Sequence, residues 1–224
     1  MINLHSCYVY AITPPQFEKD EILFENLKDS LTSGIDMLQW RLKGKKDGEA
    51  FSLGRRIRQL AGKYKVPFIV NDRLDFCLIL EADGLHIGQE DMPLKEARKI
   101  LGSQKIIGVS THTLSQAFEA ERAGADYLGY GPCLPTTTKT DVSPCIKIEE
   151  ISELQRNLKI PFFVIGGLRP ENMTPFISAG AQRAAVSAGI YQSGNIRQAI
   201  RKIRQILLYS GHKGLRDSYH ESSS

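Results

Sequence analysis

Short apolar runs of strand length alternate with amphipathic stretches of helical spacing along almost the whole chain. Runs rich in β-branched and aromatic residues predict strands over Tyr8–Ile12, Met37–Leu42, Pro67–Val70, Gly84–Ile87, Ile106–Val109, Tyr127–Tyr130, Phe162–Ile165 and Ala184–Ser187. Apolar residues three or four apart predict helices between them, as over Ile22–Ser33, Glu49–Tyr64, Leu94–Leu101, Leu114–Ala123 and Ile196–Tyr209. Eight such alternations predict an α/β fold, a closed (β/α)8 TIM barrel. The alternative is an open doubly wound sheet, which usually stops at fewer strands. Two turns, Ala123-Gly124-Ala125 and Ala179-Gly180-Ala181, place glycine where a helix ends and a strand follows, as a left-handed helix stop requires.

Length narrows this picture. The 224 residues suit a single barrel domain over about 1–210, followed by a Ser-rich tail, 211–224, that lacks apolar periodicity and reads as a flexible extension. A net charge of +4, with no Lys/Arg block interleaved with aromatics, argues against a nucleic acid or membrane-surface partner. No apolar run approaches the length of a membrane span, and the N-terminus lacks the pattern of a signal peptide. The four cysteines, Cys7, Cys77, Cys133 and Cys145, show neither CxxC pairs nor zinc spacing. Reduced thiols and a cytoplasmic location are therefore expected. Homo-oligomerisation is left open.

In such a barrel, chemistry belongs where the strands end and the βα loops begin. In Gln39-Trp40-Arg41-Leu42-Lys43 the two-residue period puts Gln39, Arg41 and Lys43 on one face. Three inward polar groups are costly unless they meet an anion at the rim; a solvated edge is the other reading. The third strand delivers Asn71 and Asp72, and the fourth is followed by Gln89-Glu90-Asp91. Asp72 and Asp91, from adjacent loops, suit Mg²⁺, which favours a few carboxylates completed by substrate phosphate and water. The competing roles are a helix cap for Asp72 and a turn cap for Asp91. Glu90 reads as exposed and His86 as a hydrogen-bonded core residue.

Ser110 closes the fifth strand, either to bind phosphate or to cap the next helix. The loop Gly131-Pro132-Cys133-Leu134-Pro135-Thr136-Thr137-Thr138-Lys139 offers backbone N–H groups, hydroxyls and an ammonium to one polyanion. Gly166-Gly167 and Ser187-Ala188-Gly189 follow strands seven and eight, the recurrent phosphate site of such barrels. Two anion sites are therefore expected, one assisted by metal and one built from backbone.

At these residues the chain resembles the thiamine phosphate synthase family. The resemblance runs over about residues 8–190, through QWRLK, FIVNDRLDFCLILEADGLHIGQEDMP, IIGVSTHTLSQAFEAERAGADYLGYGPCLPTTTK and FFVIGG. It implies a Mg²⁺-dependent transferase that joins a hydroxymethylpyrimidine pyrophosphate to a thiazole phosphate. It further implies that Gln39, Arg41 and Lys43 hold the pyrophosphate side of the pyrimidine substrate, that Asn71 binds that substrate, and that Asp72 and Asp91 ligate the metal. Ser110 and Lys139 would contact pyrophosphate, leaving Thr136, Thr138, Gly167, Ser187 and Ala188 to the thiazole phosphate. The catalytic set implied is Arg41, Lys43, Ser110 and Lys139, with the threonine loop as a lid between the two anions.

The chain departs from the family's pattern at Ala188, where serine or arginine is common, at Val142-Ser143-Pro144-Cys145, and at Cys133. Ser187, one residue earlier, would face the opposite side of a continuing strand. A thiazole tautomerase-like barrel using a histidine near His112 is the competing enzyme reading. A non-catalytic thiazole phosphate-binding protein is the competing non-enzyme reading. A Schiff-base aldolase is disfavoured for want of a placed lysine.

Overall fold

The computed structural model describes residues 2–14, 20–41, 44–135 and 144–211. A 3₁₀ turn, Leu4–Ser6, precedes β1 (Val9–Ile12) and α1 (Asp20–Thr32). Then follow β2 (Met37–Trp40), α2 (Asp47–Lys63), β3 (Phe68–Asn71), α3 (Leu74–Ile79), β4 (Gly84–Ile87), α4 (Leu94–Leu101), β5 (Ile106–Thr111) and α5 (Leu114–Arg122). The last third comprises β6 (Tyr127–Tyr130), α6 (Glu149–Asn157), β7 (Phe162–Ile165), α7 (Thr174–Ser178), β8 (Ala184–Val186), α8 (Ala188–Tyr191) and α9 (Ile196–Gly211). The eight strands are all parallel, and β1 pairs with both β2 and β8, so the sheet closes as the alternation predicts.

Two apolar shells result from the two-residue period of the strands. Val9, Ala11, Leu38, Trp40, Phe68 and Val70 point outward and are covered by buried helical residues. Helix spacing supplies these: Leu23, Leu27 and Leu31 on α1, Leu53 and Ile57 on α2, and Ile200, Ile203 and Leu207 on α9. Tyr10, Met37, Ile69, Tyr127, Phe163 and Ala185 point inward and fill the barrel. Three of these rings pack edge to face, Tyr10 on Tyr127 at 5.7 Å, Tyr10 on Phe163 at 5.3 Å and Tyr127 on Phe163 at 5.6 Å. Each such pair adds about 0.5–1.5 kcal/mol beyond its burial.

The strand ends differ from expectation in informative ways. β2 stops at Trp40 because the next N–H, that of Arg41, goes to the Thr13 hydroxyl at 2.9 Å instead of a neighbouring strand. β5 runs on to Thr111, which pairs with Tyr130, so Ser110 lies within the strand. β8 ends at Val186, one residue early, because Ser187 turns into α8. The helix stops hold: Gly124 and Gly180 have φ of +93° and +111°. Among the described residues, no helix is long and apolar enough to cross a membrane.

The opposite, N-terminal end of the barrel carries a repeat. Asp36, Asp83 and Asp126 each directly precede an even-numbered strand and accept backbone N–H groups from the strand before it: Tyr8 and Val9, Phe68, and Ile107, at 2.7–2.8 Å. Each carboxylate also meets an arginine, Arg204, Arg58 and Arg98 respectively. The fourth equivalent position holds Arg183, whose Nε is buried without a partner among the described residues.

Candidate active site

The residues singled out in the sequence that the structure describes stand at the C-terminal ends of the parallel strands or just past them. Arg41 is buried just past β2, and its backbone is clasped to Thr13 by the N–H noted above and by its carbonyl, which accepts from the Thr13 hydroxyl at 3.3 Å. Asn71 ends β3, half-buried and in register with His86. Lys43, Thr136, Thr138 and Lys139 lie outside the described residues.

Asp72 has φ +62°, a left-handed conformation that few non-glycine residues adopt, and its N–H donates to the His86 carbonyl at 2.8 Å. That bond ties the end of β3 to β4. The cap position of α3 falls to Arg73, one residue past Asp72, without a side-chain cap bond of its own. The carboxylate of Asp91 accepts the Gly88 N–H at 2.7 Å and so closes the turn after β4, the role foreseen as the alternative to metal binding. A carboxylate has room for more than one partner, so the turn bond and a metal bond are compatible. Glu90 is exposed, as expected.

Ser110 is not a helix cap; Thr113 caps α5 by accepting the Gln116 N–H. The Ser110 hydroxyl is 2.9 Å from His86 Nε2. His86 Nδ1 is 3.0 Å from the Tyr127 hydroxyl, which is 2.8 Å from that of Tyr10. Gln39 Nε2 donates to Tyr10 at 2.8 Å. Gln39 therefore engages the barrel interior, and it is joined to Ser110 by an unbroken polar chain. His86 is a hydrogen-bonded core residue, as its strand position suggested. Tyr10, Tyr127 and Thr13 carry no sign of these partnerships in the sequence.

The β7–β8 side is made mostly of backbone. Gly166 and Gly167 have φ of +102° and +66°. A Cβ on Gly166 would lie 2.7 Å from Pro132, and one on Gly167 would lie 2.7 Å from Leu134. The close approach that glycine permits here is thus to the stem of the loop after β6. Cys133 N–H donates to Ile165 and Leu134 N–H to Gly166, which fastens that stem to the end of β7. Asn172 Nδ2 holds the Gly167 carbonyl at 3.0 Å. With both carbonyls so held, trans peptide geometry turns the Gly167 and Leu168 N–H groups the other way. The Ser187 hydroxyl is buried with no partner among the described residues, and it makes no cap bond to α8. Since Ser187 and Ala188 both lie past the strand, alternation no longer sets which way they face.

Three cysteines are buried and Cys145 is exposed; all four are free. Burial pushes the thiols of Cys7 and Cys77 up to about 11 and that of Cys133 up to about 12, which makes them packing residues rather than nucleophiles. His112, half-buried at the end of β5, has Nδ1 on the Gly131 carbonyl, which accepts only, so that nitrogen carries the hydrogen.

The profile of the thiamine monophosphate synthase family matches residues 9–190. The chain belongs to that family. As a member, it is an enzyme of the transferase class. Among curated relatives, the thiamine-phosphate synthase of Shouchella clausii is 41% identical over 191 residues, covering 85% of this chain and 91% of that one. That of Halalkalibacterium halodurans is 38% identical over 203 residues, covering 91% and 96%. The solved thiamine phosphate pyrophosphorylase from Pyrococcus furiosus superposes with a TM-score of 0.82 at 32% identity, covering 93% of this chain and 99% of that one. A 3-hexulose-6-phosphate synthase, at 14% identity and a TM-score of 0.64, shares the fold alone.

The resemblance also implies Mg²⁺, and the residues present fit it. Asp72 and Asp91 stand at the ends of two paired strands and offer hard oxygen donors. Among the described residues, no group of three or more His, Cys, Asp or Glu forms a complete protein cage. Two carboxylates, with substrate and water completing the shell, is a usual Mg²⁺ arrangement.

Proposed function

We propose that the chain is a thiamine-phosphate synthase, which joins 4-amino-2-methyl-5-hydroxymethylpyrimidine pyrophosphate to 4-methyl-5-hydroxyethylthiazole phosphate and releases pyrophosphate. The observation that carries this reading is the run of consecutive strand ends, β2 to β5, bearing Arg41, Asn71, Asp72, Asp91 and Ser110 around one mouth, beside the glycine-built end of β7.

In the reaction the C–O bond between the pyrimidine methylene and pyrophosphate breaks, and pyrophosphate keeps the bonding pair. The resulting cation is stabilised by the pyrimidine ring, and the thiazole nitrogen then supplies the pair for the new C–N bond. No proton need move, which matches a rim rich in anion-binding groups and poor in placed general acids. Arg41 neutralises charge gathering on the departing pyrophosphate, and the Ser110 hydroxyl donates to it. Asn71 orients the pyrimidine, while Gly167, Ser187 and Ala188 anchor the thiazole phosphate so that its nitrogen faces the cation. Lys43, Lys139, Thr136 and Thr138 are assigned here by motif position alone. Mg²⁺, when bound by Asp72 and Asp91, would spread the pyrophosphate charge further.

Four free cysteines support a reducing, cytoplasmic setting. The test supplies both substrates with Mg²⁺ and measures thiamine phosphate and pyrophosphate together, expected in equal amounts. Absence of product alongside metal-independent interconversion of thiazole isomers would defeat the synthase reading.

A further inference from the structure

Four hydrogen bonds link Gln39 to Ser110 through the barrel interior, and their direction is set at the buried end. A carboxamide nitrogen only donates, so Tyr10 accepts from Gln39 Nε2. A phenol has one hydrogen. Buried, that hydrogen must find an acceptor, and the partner left to Tyr10 among the described residues is Tyr127; Tyr10 therefore passes its own to Tyr127, and by the same rule Tyr127 passes its own to His86 Nδ1. A neutral imidazole with an accepting Nδ1 carries its hydrogen on Nε2, and that hydrogen points to the Ser110 oxygen. Ser110 is then left with its own hydrogen, which the histidine has no lone pair to receive.

We infer that this one-way chain fixes Ser110 as a hydrogen-bond donor at the rim, and that Tyr10, Tyr127 and His86 are positioning residues for the anion bound there. A serine otherwise rotates freely between donating and accepting. Held this way, it offers an incoming phosphate oxygen a hydrogen at no reorientation cost.

Other features of the site agree. Burial drives the pKa of both phenols well above the ordinary tyrosine value, so each stays protonated and serves as acceptor and donor at once. The rings are held by packing: a Cβ on Gly108 would lie 2.0 Å from the Tyr127 ring, and one on Gly129 would lie 3.4 Å from His86. Glycines thus clear the space for both links. The Ser110 carbonyl, which would repel an anion, accepts from Gln89 Nε2 at 2.6 Å.

The direction of the chain rests on the hydrogen bonds; its use for pyrophosphate rests on the proposed function. The test is ¹⁵N-histidine NMR of the full chain at pH 8, with His86 assigned by the signal lost in His86→Gln. The expected wild-type state is the Nε2–H tautomer. Gln39→Glu replaces the terminal donor by a carboxylate that only accepts, which reverses every link and moves His86 to the Nδ1–H tautomer. Affinity for inorganic pyrophosphate with Mg²⁺ then falls roughly 10–100-fold, the range for losing a hydrogen bond to a charged group. Should Gln39→Glu not fold, Tyr127→Phe cuts the chain in the middle, and a mixture of tautomers is expected with a smaller loss. An Nδ1–H or doubly protonated His86 in the wild type, or a tautomer indifferent to both substitutions, overturns the chain. A reversed tautomer with unchanged pyrophosphate affinity overturns the role of Ser110. Failure of the wild type to bind pyrophosphate counts against the proposed function instead, while the tautomer result still decides the chain.

Discussion

The two ends of this barrel are built on opposite plans. At the N-terminal end the same device recurs three times: an aspartate before β2, β4 or β6 takes N–H groups from the neighbouring strand and an arginine from elsewhere. At the C-terminal end no single device recurs around the ring: arginine follows β2, asparagine and aspartate stand at β3, aspartate after β4, serine on β5, glycines after β7 and serine past β8. Repetition suits closure, because every pair of parallel strands poses the same hydrogen-bonding problem. Variety suits an asymmetric ligand. The comparison therefore separates residues that hold the barrel from residues that act on substrate, and substitutions at the two ends should fail differently.

The largest expected effect is at the variable end. Asp91→Asn keeps an oxygen for the Gly88 N–H but loses the charge, so the turn survives and the metal site does not. Turnover should drop roughly 10²–10³-fold, the usual size for removing one electrostatic contributor to a transition state. Thermal midpoint and thiazole phosphate binding should stay near wild type. An equal loss of both binding and turnover would break the distinction between turn and metal roles.

Gly189→Ala tests the backbone-built part of the same rim. Its new Cβ would fall 2.2 Å from the Leu168 carbonyl oxygen, so the β7 loop or α8 must shift. Overpacking of this kind costs about 1–3 kcal/mol. The thermal midpoint should fall, and the KM for thiazole phosphate should rise more than that for the pyrimidine substrate. At the repeated end, Asp126→Ala removes the acceptor of the Ile107 N–H and the ion-pair partner of Arg98, whose guanidinium keeps the Gly102, Lys105 and Gly124 carbonyls. The unpaired Ile107 N–H should cost about 1–3 kcal/mol, lowering the midpoint by roughly 2–4 °C per kcal/mol, with kcat and both KM values unchanged. A change in KM there would blur the division between the ends.

Much of the variable end was legible in the sequence, because its groups are chemically conspicuous at strand ends. Period two places Gln39 on the inward face, where it meets Tyr10, and Arg41 is buried just past the strand. The repeated end was not read, although Asp36, Asp83 and Asp126 all stand one residue before a strand. A lone aspartate beside a strand looks like any turn residue until the pairing of neighbours is known. The destination of Gln39 was hidden for a similar reason: its partner Tyr10 lies 29 positions away on another strand. Likewise, Gly166-Gly167 suggested a ligand, while the crowding that demands glycine comes from Pro132 and Leu134. Spacing reveals which face a residue takes, but the neighbour across the barrel depends on closure.

The smallest effect concerns Ala188, where the chain departs from its family. Ala188 opens α8, half-buried, beside a Ser187 hydroxyl that no described residue engages. If Ser187 already donates to the thiazole phosphate, a second hydroxyl adds little; if backbone N–H groups act alone, it adds a full hydrogen bond. Ala188→Ser should therefore tighten thiazole phosphate modestly, by less than the roughly 10–100-fold that a full bond to a charged group can give. Ser187→Ala in the same background separates the cases. A gain from Ala188→Ser that appears only after Ser187 is removed would show that the departure at 188 is compensated by its neighbour.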